Sequence, residues 1–305
     1  YDTRTFNQTF DSQLSVSSGY TALYVQTGNV RNRGVELSLG YEHQWGIFGW
    51  NSNYTFSTNH NEVLELMENY THPETGNVIS LDQLKVGGFA NAAFVLTPGG
   101  TLGDLYTTVD LNRDEFGNVY VDKDGNISRN AEIGYRKLGS VFSKANMAWN
   151  NDFNVGNLNF GFLISARLGG IVYSATQARL DNFGVSEASA LARDNGGVMV
   201  DGYSIDPYKW YSVVGADSGI PQYYTYDATN VRLQEAHIGY TIPRKKLGGL
   251  MDITLSLVGR NLWMIYCKAP FDPESIATAG NYYQGIDSFM MPSTRNVGFS
   301  LRLKF

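Results

Sequence analysis

Apolar and polar residues alternate strictly along several segments of this chain. In the last of them, Asn296 to Phe305, every odd position is apolar and every even position is polar or glycine. Successive side chains of a β-strand point to opposite faces, so this pattern predicts a strand with one apolar and one polar face. The same alternation predicts strands over Gly34–Glu42, Trp50–Ser57, Asn146–Asn150, Leu158–Leu168, Ile238–Ile242 and Met251–Leu257, and a further strand around Tyr1–Leu14 brings their number to eight.

The connections between these strands alternate between short and long. Short ones lie near 44–47, 154–157 and 243–250, and long ones run roughly over 16–33, 61–140, 171–229 and 265–292. Short periplasmic turns and long outer loops are typical of an up-and-down bacterial outer-membrane barrel. On this topology Tyr1 lies on the periplasmic side. Within one loop, Ser174–Arg193 followed by Asn-Gly-Gly predicts a short helix with a glycine stop.

Composition and charge narrow the class of protein. Of the 305 residues, 43% are hydrophobic, 13% aromatic and only 17% charged, which is fewer charges than a soluble enzyme carries. The net charge of −6 gives no basic footprint for nucleic acid. The single cysteine, Cys267, allows neither an intrachain disulfide nor a thiolate metal cluster. The first residue, Tyr1, is not followed by a recognisable signal peptide, so we expect a processed or partial chain.

Aromatic residues add a second sign of a membrane barrel. Phe48, Trp50, Trp149, Tyr240 and Trp263 lie near the ends of predicted strands. An amphipathic ring is favoured where apolar and wet regions meet, so these residues predict an interfacial girdle. The alternative is that they are ordinary core aromatics of a β-sandwich or a soluble barrel.

Several short motifs are spread over nearly the whole chain. They are Asn29-Val-Arg-Asn-Arg-Gly-Val-Glu36, Arg232-Leu-Gln-Glu-Ala236 with Gly239-Tyr-Thr-Ile-Pro243, Gly259-Arg-Asn-Leu-Trp263, Phe271-Asp-Pro-Glu274, Gly285-Ile-Asp287 and Pro292-Ser-Thr-Arg295. In their order and spacing, and in the terminal Phe305, they resemble the SusC/RagA family of TonB-dependent transporters.

The resemblance implies an all-β fold, namely an antiparallel transmembrane barrel with long extracellular loops. Residues 1–305 would be its C-terminal part, about eight strands of a plugged barrel of about 22. The plug domain and earlier strands would lie outside this chain. The family also implies location in the outer membrane among its lipids, no cofactor, a SusD-like lipoprotein partner, the TonB complex, and import of an oligosaccharide or a peptide.

The resemblance also gives the last strand a second role. A C-terminal aromatic residue preceded by alternating apolar positions resembles the signal that is read by the barrel assembly machinery. The residues that carry this signal here are Phe299, Leu301, Leu303 and Phe305. The alternative is that they only face lipid, and both roles are compatible.

Candidate binding residues lie in the loops. Flat amphipathic rings beside Asp and Gln can stack on sugars or pack on peptide side chains, and they can equally pack within a loop or contact a partner protein. The candidates for ligand contact are Trp210, Tyr211, Tyr223, Tyr224, Tyr282 and Tyr283. Asp122 and Asp124 are weak candidates for a calcium loop, because the Glu that closes an EF-hand is missing. We therefore predict polar hairpin turns and no metal site.

Features of an enzyme are not apparent. His43, His60, His72 and His237 have no metal-ligand spacing, and there is no nucleophile elbow or phosphate-binding glycine loop. Asp272 and Glu274 flank a proline, which favours a rigid loop over a catalytic pair. Two other classes stay open: a self-contained eight-stranded outer-membrane barrel with an adhesin or structural role, and a soluble glycan-binding β-sandwich.

Overall fold

The eight predicted strands form one antiparallel sheet. The computed structural model describes residues 1–13, 22–67, 70–71, 78–276, 280 and 283–305. Each strand is hydrogen-bonded to the next one in the chain, so the predicted meander is confirmed. The strands are β1 Asp2–Gln13, β2 Ala22–Trp45, β3 Phe48–Glu65, β4 Ala145–Val155, β5 Leu158–Leu168, β6 Asn230–Ile242, β7 Asp252–Cys267 and β8 Asn296–Lys304.

The register of the sheet keeps the apolar residues on one face. One row of paired residues runs across it through Trp45, Phe48, Val155, Leu158, Tyr240, Leu255 and Leu301. We call this apolar side the outward face and the polar side the inward face. Many side chains on the outward face are exposed, and Phe299 reaches 83%. A large exposed apolar face is what lipid contact requires and what a soluble domain avoids.

The sheet is open along both of its edges. Among the described residues, β1 pairs only with β2 and β8 pairs only with β7. An unpaired edge leaves a row of free backbone amides and carbonyls, which lipid cannot satisfy. The eight strands therefore do not form a closed barrel by themselves.

The first strand lies differently from the prediction. Tyr1 pairs with Gly34, and its amino group donates to the Gly34 carbonyl at 2.9 Å. Gly34 lies far along β2 from the short turn at Gly46, so Tyr1 is at the loop end of the sheet and its predicted periplasmic position is wrong. The predicted long connection over 16–33 is also wrong, because β2 already begins at Ala22. Polar residues interrupt the alternation between Gln26 and Arg33, which concealed this part of the strand.

The long connections fold into a body at one end of the sheet, which we call the loop body. Its largest piece is an antiparallel sheet of four strands, Leu84–Phe89, Ala92–Leu96, Asp104–Thr107 and Arg136–Ser140. Its other strands are Tyr70–Thr71 with Val78–Ile79, Asp110–Leu111 with Arg129–Asn130, Val198–Val200 with Tyr203–Ile205, and Thr225–Asp227 with Ile171–Ser174 and Ile286–Asp287. One apolar cluster joins these pieces, including the fully buried Phe94, Leu105 and Tyr173.

Three α-helices and two 3₁₀ turns lie in the described residues of the loop body. The helices are α1 Ala175–Asn182, α2 Glu187–Asp194 and α3 Pro207–Val214, and the 3₁₀ turns are Ala216–Ser218 and Pro221–Tyr223, with Arg244–Leu247 at the other end of the sheet. The single helix predicted over Ser174–Arg193 is thus two helices. Gly184 separates them with a φ of +68°, and Ser186 caps the second by accepting from the Ser189 amide. No helix in the described ranges is long and apolar enough to cross a membrane.

Aromatic rings form a continuous band on the outward face beside the short turns. Trp45 and Phe48 lie 5.7 Å apart, Trp50 and Phe153 6.2 Å, and Phe153 and Phe160 5.1 Å between ring centroids. Trp263 lies on the same face towards the loop end and is 60% exposed. The predicted girdle positions therefore lie on the face that would meet lipid.

We expect brominated lipids to distinguish the two kinds of tryptophan. In brominated vesicles, Trp263→Phe should lower the lipid-quenched fraction of the protein's fluorescence, because its ring lies on the exposed outward face. Trp210→Phe should leave that fraction unchanged or raise it, because Trp210 is buried in the loop body. An equal effect of the two substitutions would contradict the assignment of the outward face.

Candidate functional site at the inward face and the mouth

The inward face is polar along its whole length. Between β4 and β8 it encloses a concave cavity of about 460 Å³. Amide, hydroxyl, carboxylate and guanidinium groups line it, among them Asp152, Asn159, Glu235, His237, Ser256 and Arg302. Such a wall offers hydrogen bonds to water and to polar solutes without holding any one of them tightly.

Gly161 and Gly239 leave space on the inward face, so that side chains of the two flanking strands can approach each other over the glycine. A Cβ on Gly161 would lie 2.6 Å from His237 Cε1 and 2.7 Å from Asp152 Oδ1. His237 Nε2 and Asp152 Oδ1 approach to 3.6 Å over this glycine, although they belong to β6 and β4. Gly239 is similar, since its Cβ would meet Ser256 Oγ and Asn159 Oδ1. Glycine at these positions thus allows polar groups to meet across three strands.

We expect Gly161→Ala to destabilise this part of the wall by about 1–3 kcal/mol, the usual cost of overpacking. The added methyl group also meets the Asn151 carbonyl at 2.6 Å, which cannot move without disturbing the strand pair. The temperature at which the folded protein unfolds in detergent measures the effect. Gly298→Ala is the matched control, because a Cβ there meets nothing within 4 Å. Equal unfolding temperatures of the two variants would refute this account.

A second cavity, of about 450 Å³, lies where the sheet joins the loop body. We call it the mouth cavity. Its lining includes Asn59, Asn61, Phe142, Ser143 and Lys144, together with backbone of Gly169 and Gly170. An aromatic ring among amides and a cation suits a polar organic ligand such as a sugar or a peptide.

Amide side chains build the β3 side of the mouth cavity. Asn61 Nδ2 donates to Asn32 Oδ1 at 2.9 Å, and Asn59 Nδ2 reaches the same oxygen at 3.3 Å. Asn61 Oδ1 accepts from the backbone amide of Leu102 at 2.8 Å, which fixes the loop body to the strand. These residues were not predicted as site residues. The departure of Asn59–Asn61 from the alternation of β3 is the only sign of them in the sequence.

The predicted loop aromatics fall into two groups. Trp210 and Tyr224 are buried at 7% and 2% exposure, and burial, followed by the nearby Asp181 carboxylate, raises the pKa of Tyr224. Tyr211 and Tyr223 are half-buried and Tyr283 is 45% exposed. Tyr282 lies outside the described residues. Their ligand contact stays a prediction, and only the exposed rings have surface available for it.

The acidic segment forms two hairpin turns of the same design. Asp122 Oδ1 accepts from the amides of Asp124 and Asn126 at 2.9 and 2.8 Å, and Asp114 Oδ1 binds those of Phe116 and Asn118 at 2.9 Å each. The Asn126 bonds are the largest influence that lowers the pKa of Asp122. Among the described residues, no group of three or more potential ligands gathers around Asp122 and Asp124 or elsewhere. These hydrogen bonds agree with the predicted hairpin turns, and the Asp122 carboxylate caps its own turn.

A buried ion pair attaches the last loop to the sheet. The Arg232 side chain, 5% exposed, binds both carboxylate oxygens of Asp272 at 2.8 and 3.1 Å. It also lies 3.1 Å from Glu274 and donates to Asn230 Oδ1. Burial would raise the pKa of Asp272, but hydrogen bonds from Arg232, Ser293 and the Glu274 amide hold it below its ordinary value. Asp272 and Glu274 therefore belong to a structural contact.

Asp272→Ala should release this loop, because it leaves a buried guanidinium without its main partner. We expect the free energy of local opening of this loop to fall by about 3 kcal/mol. Hydrogen exchange of the Ile286 and Asp287 amides measures this change. Because the pKa of Asp272 is lower in the folded protein, its ionised carboxylate stabilises the loop at pH values above the unfolded pKa of 3.8. This stabilisation is lost as the pH falls through the folded pKa. Glu274→Ala is the control and should cost about 1 kcal/mol or less, because its side chain is 41% exposed. Equal exchange rates in the two variants would contradict this account.

The residues of the predicted assembly signal all lie on the outward face of the edge strand or at its end. Phe299, Leu301, Leu303 and Phe305 are 83%, 56%, 45% and 80% exposed. They are therefore accessible to lipid and to another protein alike. Their role in assembly stays a prediction.

Comparison with known proteins agrees with this architecture. The chain is 23% identical to the TonB-dependent receptor P39 of Formosa agariphila over 97% of its own length. The chain spans about a third, 32%, of that relative. No protein-family profile matches the chain.

Solved structures show the same fold. The RagAB peptide importer in its closed-closed state matches the whole chain with a TM-score of 0.69 at 15% identity, over 33% of its own chain. A structure of the RagAB peptide transporter matches 99% of this chain with a TM-score of 0.65 at 14% identity, over 32% of its own.

The sheet with its apolar outward face and polar inward face is barrel wall of an outer-membrane protein. The short turns are then periplasmic, and the loop body is extracellular. The matches confirm the resemblance to SusC/RagA-family TonB-dependent receptors that the sequence motifs predicted.

Proposed function

We propose that this chain forms barrel wall and extracellular body of an importer that takes up an oligosaccharide or a peptide. The mouth cavity carries this proposal, because it lies between the loop body and the polar inward face. The relative named as a TonB-dependent receptor supports import, and the solved structures described as a peptide importer support a cargo as large as a peptide or an oligosaccharide.

The proposed import requires parts outside this chain. Both edges of the sheet are unpaired among the described residues, which supports completion of a larger, plugged barrel by other strands. The plug would couple to the TonB complex, and a SusD-like lipoprotein would cover the loop body. This chain would then represent the C-terminal part of the barrel and supply wall, lining and mouth.

The mechanism involves no bond-making. Cargo would first contact the exposed ring of Tyr283, which offers a flat apolar surface with a hydroxyl at the edge. The half-buried rings of Tyr211 and Tyr223 would add the part of their surface that the loop body leaves open. It would then pass the amides of Asn59 and Asn61 and Lys144 in the mouth cavity. Movement of the plug would release it along the inward face, where paired groups such as His237 and Asp152 present many weak polar contacts. We propose no enzymatic activity.

The alternative classes fit less well. A self-contained eight-stranded barrel needs its first and last strands to pair, and the described parts of β1 and β8 do not. A soluble sandwich needs a second sheet against the apolar face, whereas Val297 and Phe299 are 70% and 83% exposed.

Filling the mouth cavity should block import. Ser143→Trp places an indole in the cavity, and we expect initial uptake of the cargo that supports growth of the wild type to fall about tenfold. Glu115→Trp adds the same side chain at an exposed turn outside the cavity and should leave uptake unchanged. The amounts of both variants in the outer membrane are compared first. Unchanged uptake by a normally assembled Ser143→Trp protein would refute the role of the mouth cavity.

A further inference from the structure

Three arginines lie together on the outward face at the loop end of the sheet. Arg33 pairs with Asp2, and Arg31 pairs with Arg4, across β1 and β2. Neither the register of β1 from Asp2 to Thr5 nor that of β2 from Val30 to Trp45 contains a shift. Arg31 and Arg33 therefore share the face of Val35, and the pairing puts Arg4 on the same face. We call Arg4, Arg31 and Arg33 the arginine cluster.

The arginine cluster lies just beyond the apolar band. From Val35 to Trp45 the outward side of β2 carries Val35, Leu37, Leu39, Tyr41, His43 and Trp45. Ten residue steps of about 3.3 Å, on a strand tilted by about 40°, span about 25 Å, which is the height of such a band in outer-membrane barrels. Arg33 lies one outward position above it, and the Arg31–Arg4 pair one position further. This is the level of the lipid headgroups in the outer leaflet.

The charges of the cluster are only partly compensated. Arg31 forms an ion pair with Asp2, and its Nε donates to Asp2 Oδ1 at 2.9 Å. Arg4 and Arg33 are exposed, and neither has a carboxylate within ion-pair distance in the described part of the chain. Glu62 faces Arg31 from β3, and His60 faces Arg33. Three guanidinium groups thus face two carboxylates.

No comparable positive charge occurs at the loop end of β4, β5 or β6. The outward positions closest to the loop end of β4, β5 and β6 are Ala145, Leu168 and Val231, all without charge. The cluster therefore distinguishes β1 and β2 from β4, β5 and β6.

We infer that the arginine cluster binds the phosphate of an outer-leaflet lipid headgroup. A guanidinium group presents a fork of donors that matches phosphate oxygens, and it is more easily desolvated than an ammonium group. The ion pair with Asp2 holds Arg31 in place, which leaves Arg4 and Arg33 to reach the phosphate. The lipid chains would lie along the apolar side chains below, so that one molecule satisfies both parts of the surface. This inference does not depend on the identity of the cargo.

The test measures lipid retention by the whole protein, purified from outer membranes and reconstituted in nanodiscs. The probes are a bisphosphorylated lipid A, the same lipid without phosphates, and inorganic phosphate as a competitor. We expect the phosphorylated lipid to bind more tightly than the dephosphorylated one. Arg4→Gln with Arg33→Gln should weaken its binding by about fivefold for each arginine removed. Millimolar inorganic phosphate should displace little of the lipid.

The matched control removes equal charge from the other side of the membrane. Lys245→Gln with Lys246→Gln changes two exposed residues of the periplasmic turn and should leave lipid retention unchanged. Equal losses in the two double variants would overturn the inference. Equal binding of both lipids by the unmodified protein would also overturn it, and so would full competition by inorganic phosphate, which would indicate an ion site. The wild-type comparison decides the question even if the arginine variant fails to assemble.

Discussion

Backbone hydrogen bonding in lipid is the constraint on which the rest of this structure depends. Hydrocarbon offers no partner for an amide or a carbonyl, so each strand that crosses it must pair with a neighbour along its length. The simplest way to meet this requirement is a meander in which β3 through β8 follow one another with short turns between alternate strands. Side chains then have only two environments, and the period-two alternation follows directly. The two unpaired edges mark where the same requirement is not yet met within the described residues.

Outside the lipid, water can satisfy backbone amides and carbonyls, so the chain no longer has to form continuous strands. The loop body has its own apolar core and buries carboxylates, which only partnered charges can satisfy. Asp104 is fully buried beside Lys137, and Asp110 binds Arg113 and Arg136. The Arg232–Asp272 pair works in the same way at the junction, since it fixes the last loop to β6. Ion pairs and amides such as Asn61 thus carry out the positioning that the continuous ladder performs inside the membrane.

The sequence predicts a residue's position where its environment repeats along the chain, and not where that environment depends on distant partners. Seven strands and their faces were predictable, because alternation in Leu158–Leu168 or Asn296–Lys304 needs no knowledge of the neighbours. For β1, which lacks this alternation, only the presence of a strand was predicted. The end of the sheet at which Tyr1 lies was not predictable, because counting strands does not fix the register that pairs Tyr1 with Gly34. The mouth cavity was missed for a related reason. Asn61 is far from Phe142 and Lys144 in the chain, and the broken alternation at Asn61 does not indicate which distant residues it meets.

The inward face shows how the wall can be both polar and wide. An inward side chain of ordinary size at every position would crowd the curved side of the sheet, whereas small residues there leave room for a few long ones. Gly161 illustrates the consequence, because His237 and Asp152 meet above it from strands that are not neighbours. Gly239 gives Asn159 and Ser256 the same opportunity. Because such groups approach each other in partly exposed positions rather than in a buried core, they can exchange partners with water or a passing solute at little cost. A wall of this kind suits passage better than retention, and tight recognition is then left to the mouth and the loop body above it.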